Sequence, residues 1–179
     1  MEKHSDGVAV GFKIVLYSVL SILHCTFIMW LRVFSPDTAE VSPADLAEHL
    51  LSQGFDYEPH FKGDTHGWTT GELRPPVGSP VMLARYLTKE DDLRDDLNAY
   101  AAELETQTYS PNHGMLMEKV IQTKQMVTIR KPVAHADEAA LDRLCDAVVS
   151  FLARRLGGVY QIDSRGWFTA DGELLLQEY

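Results

Sequence analysis

Two histidines and an aspartate lie close together in a glycine-containing stretch, and theirs is the only spacing in the chain typical of metal ligands. His60, Asp64 and His66 fall within seven residues, and imidazole with carboxylate is a ligand set for a transition metal. Gly63 and Gly67 would allow the turns that such a loop needs. The spacing matches no metal motif of known mechanism, so two interpretations stay open: a metal site at these three residues, or a polar surface loop.

An acidic run follows further along the chain. It consists of Glu90, Asp91, Asp92, Asp95 and Asp96. The run lacks the glycine turn and the ligand spacing of a calcium loop. Its repulsive i,i+4 pairs cost only a few tenths of a kcal/mol, about what a solvated helix face tolerates. The run is therefore either such a face or a docking surface for a basic partner.

No sequence motif for catalysis is present. The chain has no nucleophile-elbow serine, no P-loop, no dinucleotide-binding glycine pattern and no H-E-x-x-H. Cys25 and Cys145 give neither a disulfide framework nor a zinc spacing, and we predict that Cys145 is a core residue. We accordingly name no catalytic residue and no cofactor. Several aromatic residues could line a groove but more often belong to a core; these are Tyr57, Trp68, Tyr160, Trp167 and Phe168.

Four segments that would position these residues carry apolar side chains at helical spacing. They are 43–53, 89–105, 115–123 and 138–156. Ser42, Thr88 and Asp137 are the expected N-caps, with Asp91 as partner of Thr88 in a capping box. Gly54 is expected to end the first helix in a left-handed conformation.

Shorter apolar or alternating runs predict strands. They are 30–34, 68–73, 80–86, 125–131, 159–163, 167–168 and 173–178. We expect 55–79 to be an irregular segment apart from its one short strand, because it is dense in turn-forming residues. Asp171 and Gly172 predict a tight hairpin. The order of elements predicts a single α+β domain: a mixed or mostly antiparallel sheet, about three helices packed on one face, and a C-terminal β-meander.

The N-terminus carries an apolar segment. Residues 14–31 contain no charged side chain, and 18 residues is the lower limit for a membrane-spanning helix. It is a dispensable leader before a domain starting at Met29, a membrane anchor, or a helix packed on the domain. We predict that 1–28 form an apolar leader or anchor outside the fold, and that 29–179 form a single acidic domain. The domain is expected to be cytoplasmic, with membrane anchoring as the alternative.

The chain is acidic, with 16 Lys and Arg against 26 Asp and Glu, a formal charge of −10. Such a surface repels phosphate backbones, so we expect no nucleic-acid partner, whereas a basic protein surface is a suitable one.

The tail resembles the end of small bacterial α+β proteins in Gly157-Gly158-Val-Tyr160 and Gly166-Trp167-Phe168, and this resemblance implies no activity. The leading hypothesis is therefore a non-catalytic binding or interaction domain. The alternative is a metal-dependent enzyme that uses the His60, Asp64 and His66 loop.

Overall fold

The first strand of the sheet lies at its centre, between two strands from the second half of the chain. Strand β1 (Trp30–Ser35) pairs antiparallel with β5 (Gln125–Arg130) on one side and with β6 (Val159–Ile162) on the other. Its side chains alternate between the two faces of the sheet, as an extended chain requires. The predicted strand at 30–34 is confirmed.

The computed structural model describes residues 29–89, 92–133 and 137–178. Within them, eight strands form one sheet with the order β2-β3-β4-β5-β1-β6-β7-β8. The other strands are β2 (Glu58–Asp64), β3 (Gly67–Arg74), β4 (Val81–Leu87), β7 (Gly166–Phe168) and β8 (Leu174–Leu176). Every neighbouring pair is antiparallel, which confirms the α+β prediction.

Four helices of the described residues pack on this sheet. They are α1 (Pro43–Ser52), α2 (Leu93–Thr106), α3 (His113–Ile121) and α4 (Glu138–Leu156). The Ser42 side chain accepts from the Ala44 N–H, and the Asp137 side chain accepts from the Ala140 N–H, so both predicted caps are confirmed. Gly157 ends α4 with φ of 63°, a left-handed conformation that glycine adopts without strain.

The helices cover both faces of the sheet, and the expectation that they lie on one face is wrong. On the first face, α1 and α4 pack over Leu31 and Val33; on the second face, α2 and α3 pack over Phe34 and Met126. Two separate apolar clusters result because β1 and β5 carry apolar residues on both sides near one end. The predicted core residues Leu144, Val148, Leu152 and Cys145 are all buried on the first face, and burial raises the pKa of the Cys145 thiol to about 12.

The segment 55–79 holds two strands, β2 and β3, and not the single strand predicted. They form a hairpin that turns at residues 65–66. The sequence of β2 hides it, because Pro59, Gly63 and Asp64 are poor strand formers. They are tolerated because β2 is an edge strand of the sheet that the described residues form.

The predicted start of the second helix is also wrong. Helix α2 begins at Leu93 with Asp92 as N-cap, and no side chain caps it. The Thr88 hydroxyl instead donates to the Thr123 carbonyl, and its N–H donates to the Lys124 carbonyl. Thr88 thus ties the end of β4 to the start of β5, so it cannot cap a helix.

The apolar segment 14–31 overlaps β1. Trp30 and Leu31 pair with Arg130 and Ile129 at the centre of the sheet, so a single helix over the whole of 14–31 is incompatible with this strand. The rest of that segment lies outside the described residues, together with Cys25 and the predicted leader 1–28. In the part of the chain that the structure describes, no helix has the length and apolar character needed to cross a membrane.

Candidate functional site

A groove with a volume of about 590 Å³ lies between α2 and the second face of the sheet. Its floor comes from β1 and β5, its wall from α2 and its end from β4. The residues that line it are Trp30, Arg32, Tyr86, Asp92, Leu93, Asp96, Ala99, Tyr100, Met126 and Thr128. The groove therefore combines aromatic side chains, two carboxylates, a guanidinium and a hydroxyl.

A second, smaller cavity of about 370 Å³, the side hollow, adjoins the groove. Arg32 and Tyr100 line both spaces and separate them. The other residues that line the side hollow are Met29, Glu103, Gln161, Asp163, Ser164 and Glu178. The Arg32 guanidinium carbon is 5.7 Å from the centre of the Tyr100 ring, close enough for cation–π attraction.

Strand pairing brings the floor residues together. Ala84, Thr128, Arg32 and Gln161 form one row across β4, β5, β1 and β6. Neighbours in such a row are about 5 Å apart, because that is the spacing between paired strands. The helix contributes Asp92, Asp96, Tyr100 and Glu103, which recur every three or four residues and so share one side of α2.

A hydrogen-bond network fixes the boundary between the two cavities. Nη1 of Arg32 donates to Oε1 of Gln161 at 2.7 Å and to Oδ1 of Asp163. The other Asp163 oxygen accepts from the Trp30 N–H at 3.0 Å. Gln161 donates from Nε2 to both carboxylate oxygens of Glu178, at 3.0 and 3.1 Å. Arg32 and Gln161 are therefore held in place by side chains from three different segments.

The two cavities carry an excess of negative charge. Five carboxylates line them against the single Arg32 guanidinium, a formal charge of 1 − 5 = −4; the five are Asp92, Asp96, Glu103, Asp163 and Glu178. Burial raises the pKa of Glu178, and the Glu103 and Asp163 carboxylates raise it further, against the Gln161 hydrogen bond that lowers it. Burial also raises the pKa of Tyr100, which Arg32 lowers and Asp163, Asp96 and Glu103 raise. A bound cation would relieve this repulsion.

One buried polar atom of the groove has no hydrogen-bond partner among the described residues. Thr128 is only 7% exposed, and its Oγ1 makes no hydrogen bond within the described residues. A buried hydroxyl without a partner is unfavourable, by about 1–3 kcal/mol. Thr128 is therefore a candidate contact for a ligand that supplies the missing hydrogen bond.

The structure does not bring the predicted metal ligands together. His60 and Asp64 are four residues apart on β2, about 13 Å along an extended chain. Asp64 Oδ1 accepts from the His66 N–H at 2.8 Å, so its carboxylate supports the hairpin turn. His60 Nε2 is 3.2 Å from Glu58 Oε2. In the described ranges, no group of three His, Cys, Asp or Glu side chains could hold a metal ion.

The acidic run has a more specific position than the sequence indicates. Asp92, Asp95 and Asp96 are all exposed, but of the three only Asp92 and Asp96 line the groove. Glu90 and Asp91 lie outside the described residues. Two residues of the run therefore belong to the groove wall. The sequence does not predict which residues these are, because it does not show which strands form the groove floor.

The aromatic residues also divide into those of the core and those of the groove. Trp68, Tyr160 and Trp167 are buried in the core, whereas the groove uses Trp30 and Tyr86, which the sequence analysis did not select. One signal could have found the site: Arg32 is a charged residue in the middle of an apolar strand that pairs on both sides. Comparison with known proteins found no protein family, no curated protein and no solved structure that matches this chain.

Proposed function

We propose that this domain is a non-catalytic binding module that takes a basic segment of a partner protein into the groove. The observation that carries the proposal is the charge of the two cavities, where five carboxylates face one guanidinium that Asp163 already pairs. Cationic side chains are the ligands that such a surface attracts and retains.

The aromatic residues support the same class of ligand. Trp30 and Tyr100 line the groove, and each ring already attracts a guanidinium, with Arg130 at 6.0 Å from the centre of the Trp30 ring and Arg32 at 5.7 Å from that of Tyr100. A Lys or Arg side chain of a ligand would gain from the same cation–π attraction. Met126 and Leu93 supply apolar surface for the alkyl part of the side chain. The groove therefore suits both parts of a long basic side chain.

The metal-dependent enzyme remains a sequence-based alternative. Its three residues are spread along one hairpin, and no observation among the described residues favours it over the binding module. Metal analysis of protein purified without a histidine tag would support it if metal were bound in stoichiometric amount and lost on His60→Ala.

The test is titration of the full chain with an amidated lysine-alanine peptide at low salt. Acrylamide quenching of tryptophan fluorescence is the measurement, because Trp68 and Trp167 are buried and Trp30 is the more accessible indole. We expect saturable protection of Trp30. A glutamate-alanine peptide of the same length should give none.

A matched pair of variants locates the binding. Asp92→Asn with Asp96→Asn should weaken peptide binding about fivefold to tenfold, from the usual energy of exposed ion pairs. Asp95→Asn with Glu105→Gln removes the same charge from exposed positions of α2 that do not line the groove. It should weaken binding much less. Equal weakening by the two pairs would mean general electrostatic attraction, and the groove would not be the site.

A further inference from the structure

We propose that Thr128 and Arg32 bind a main-chain carbonyl of the ligand, so that the groove selects a basic residue followed by a neutral amide over one at a free C-terminus. This inference rests on the proposed function and names the chemistry of the partner segment. It concerns the floor of the groove, whereas the proposed function rests on the charge around it.

Thr128 lies on the floor of the groove. Its hydroxyl is the one side-chain group of the groove that is both buried and without a hydrogen-bond partner among the described residues. A hydroxyl can donate to a carbonyl oxygen. Oγ1 of Thr128 has almost no accessible surface, so a ligand carbonyl reaches it only when a neighbouring side chain shifts. The carbonyl then provides the hydrogen bond that the described residues lack.

The neighbour of Thr128 on β1 is also a hydrogen-bond donor. Arg32 is its direct partner in the β1–β5 ladder, so the two side chains stand side by side on the second face. Within the described chain, the side-chain hydrogen bonds of Arg32 both come from Nη1. Nε and Nη2 make no hydrogen bond to the described residues, Arg32 lines both cavities, and a guanidinium has donors but no acceptor. The pair is thus a set of donors suited to one oxygen acceptor.

The carboxylates around Arg32 and Thr128 favour an acceptor without charge. Asp163 already pairs with Arg32, and four further carboxylates line the two cavities. A ligand carboxylate would be repelled by them, whereas an amide carbonyl accepts the same hydrogen bonds without adding charge. The surroundings therefore favour a neutral acceptor, with the cationic side chain directed to Asp92 and Asp96 on the helix wall.

The experiment compares three peptides on the full chain by tryptophan quenching. The first is acetyl-Ala-Ala-Lys amide and the second is the same peptide with a free carboxylate. The third is the amide carrying one glutamate at its far N-terminal end, so that its net charge equals that of the free acid. We expect the amide to bind at least about threefold more tightly than the acid, the worth of one hydrogen bond. The charge-matched amide should also bind more tightly than the acid.

Thr128→Val separates binding from stability. The variant should weaken binding of the amide about threefold to tenfold, while its melting temperature stays unchanged or rises, because an unpaired buried hydroxyl is removed. A free acid that binds as tightly as the charge-matched amide would overturn the inference, and so would Thr128→Val with unchanged affinity. If the peptides bind and respond to the Asp92 and Asp96 variants but not to Thr128→Val, the proposed function stands and this inference fails. If no peptide binds, both fail.

Discussion

Arg85 on β4 donates its Nε–H to the side-chain carbonyl of Gln125 on β5, beneath the first face of the sheet. Its remaining bonds go to main-chain carbonyls of Thr38 and His66 at 3.0 Å and of Trp68 at 3.4 Å. Arg85 is 5% exposed, and all four acceptors are uncharged. One guanidinium therefore ties the loop after β1 and the β2–β3 hairpin to the centre of the sheet.

Replacing Arg85 should destabilise the fold. Arg85→Met removes the donors of four acceptors at once, and we expect a loss of about 3 kcal/mol or more of unfolding free energy. Urea denaturation followed by circular dichroism measures it. Arg143→Met, at an exposed position of α4, is the control and should change stability by about 0.5 kcal/mol or less. If Arg85→Met were more stable than the native chain, the desolvation of the buried guanidinium would be more unfavourable than its hydrogen bonds are favourable.

Helix α4 supplies the largest part of the core on the first face. Leu152 is fully buried there, so Leu152→Ala should cost about 2–5 kcal/mol of unfolding free energy through lost burial and a cavity. Leu51→Ala on α1 removes the same atoms from a side chain that is 70% exposed, and it should have a small effect. Similar losses in the two variants, measured by urea denaturation, would contradict the packing described for α4.

The unfolding free energy of the protein should depend on pH through Glu178 in the side hollow. Burial and the Glu103 and Asp163 carboxylates raise the pKa of Glu178 in the folded state, so folding favours its protonated form. Its contribution is fully present below the unfolded pKa and is lost as pH rises through the folded pKa. Glu178→Gln, which cannot ionise, should therefore be more stable than the native chain at pH 7, and the difference should shrink towards pH 4.

Urea midpoints at the two pH values test this expectation. Glu48→Gln, at an exposed position of α1, controls for the loss of a surface carboxylate. A Glu178→Gln protein that is less stable than the native chain at pH 7 would show that the Gln161 hydrogen bond outweighs the repulsion.

The domain boundary at Met29 remains a prediction. Within the described residues, the sheet already has helices on both faces, and Trp30 begins the central strand with its N–H bound to Asp163. A shortened chain that begins at Met29 should therefore unfold cooperatively on heating. Thermal melts of the short and full chains provide the comparison. An unfolded short chain beside a cooperative full chain would place residues 1–28 within the fold.

The sequence predicted correctly the elements whose stabilising contacts lie within a few residues of one another. Helix α4 was predicted with its correct bounds because Asp137, the apolar stripe and Gly157 act within a few residues of one another. Strand β2 was not predicted because Pro59, Gly63 and Asp64 disfavour a strand; it is stabilised by its pairing with β3.

The groove could not be predicted for a related reason. Arg32, Thr128 and Gln161 are neighbours only because β1 lies between β5 and β6, and a sequence pattern does not specify that strand order. The acidic run is evident in the sequence, but the sequence does not distinguish Asp96, which lies on the groove wall, from Asp95 beside it.

The central position of β1 has a consequence for how the chain reaches its fold. Arg32 is 129 residues before Gln161, so a ribosome makes β1 early and both of its neighbours late. Until β5 and β6 emerge, an apolar strand has two unpaired edges, which are the surfaces that recruit other chains into aggregates. Pairing between strands that are distant in sequence also slows folding, because the conformational entropy of a long loop is lost before any stabilising contact forms. Strand β1, which forms part of the groove floor, is thus the segment of the nascent chain most prone to aggregation before its neighbours are made.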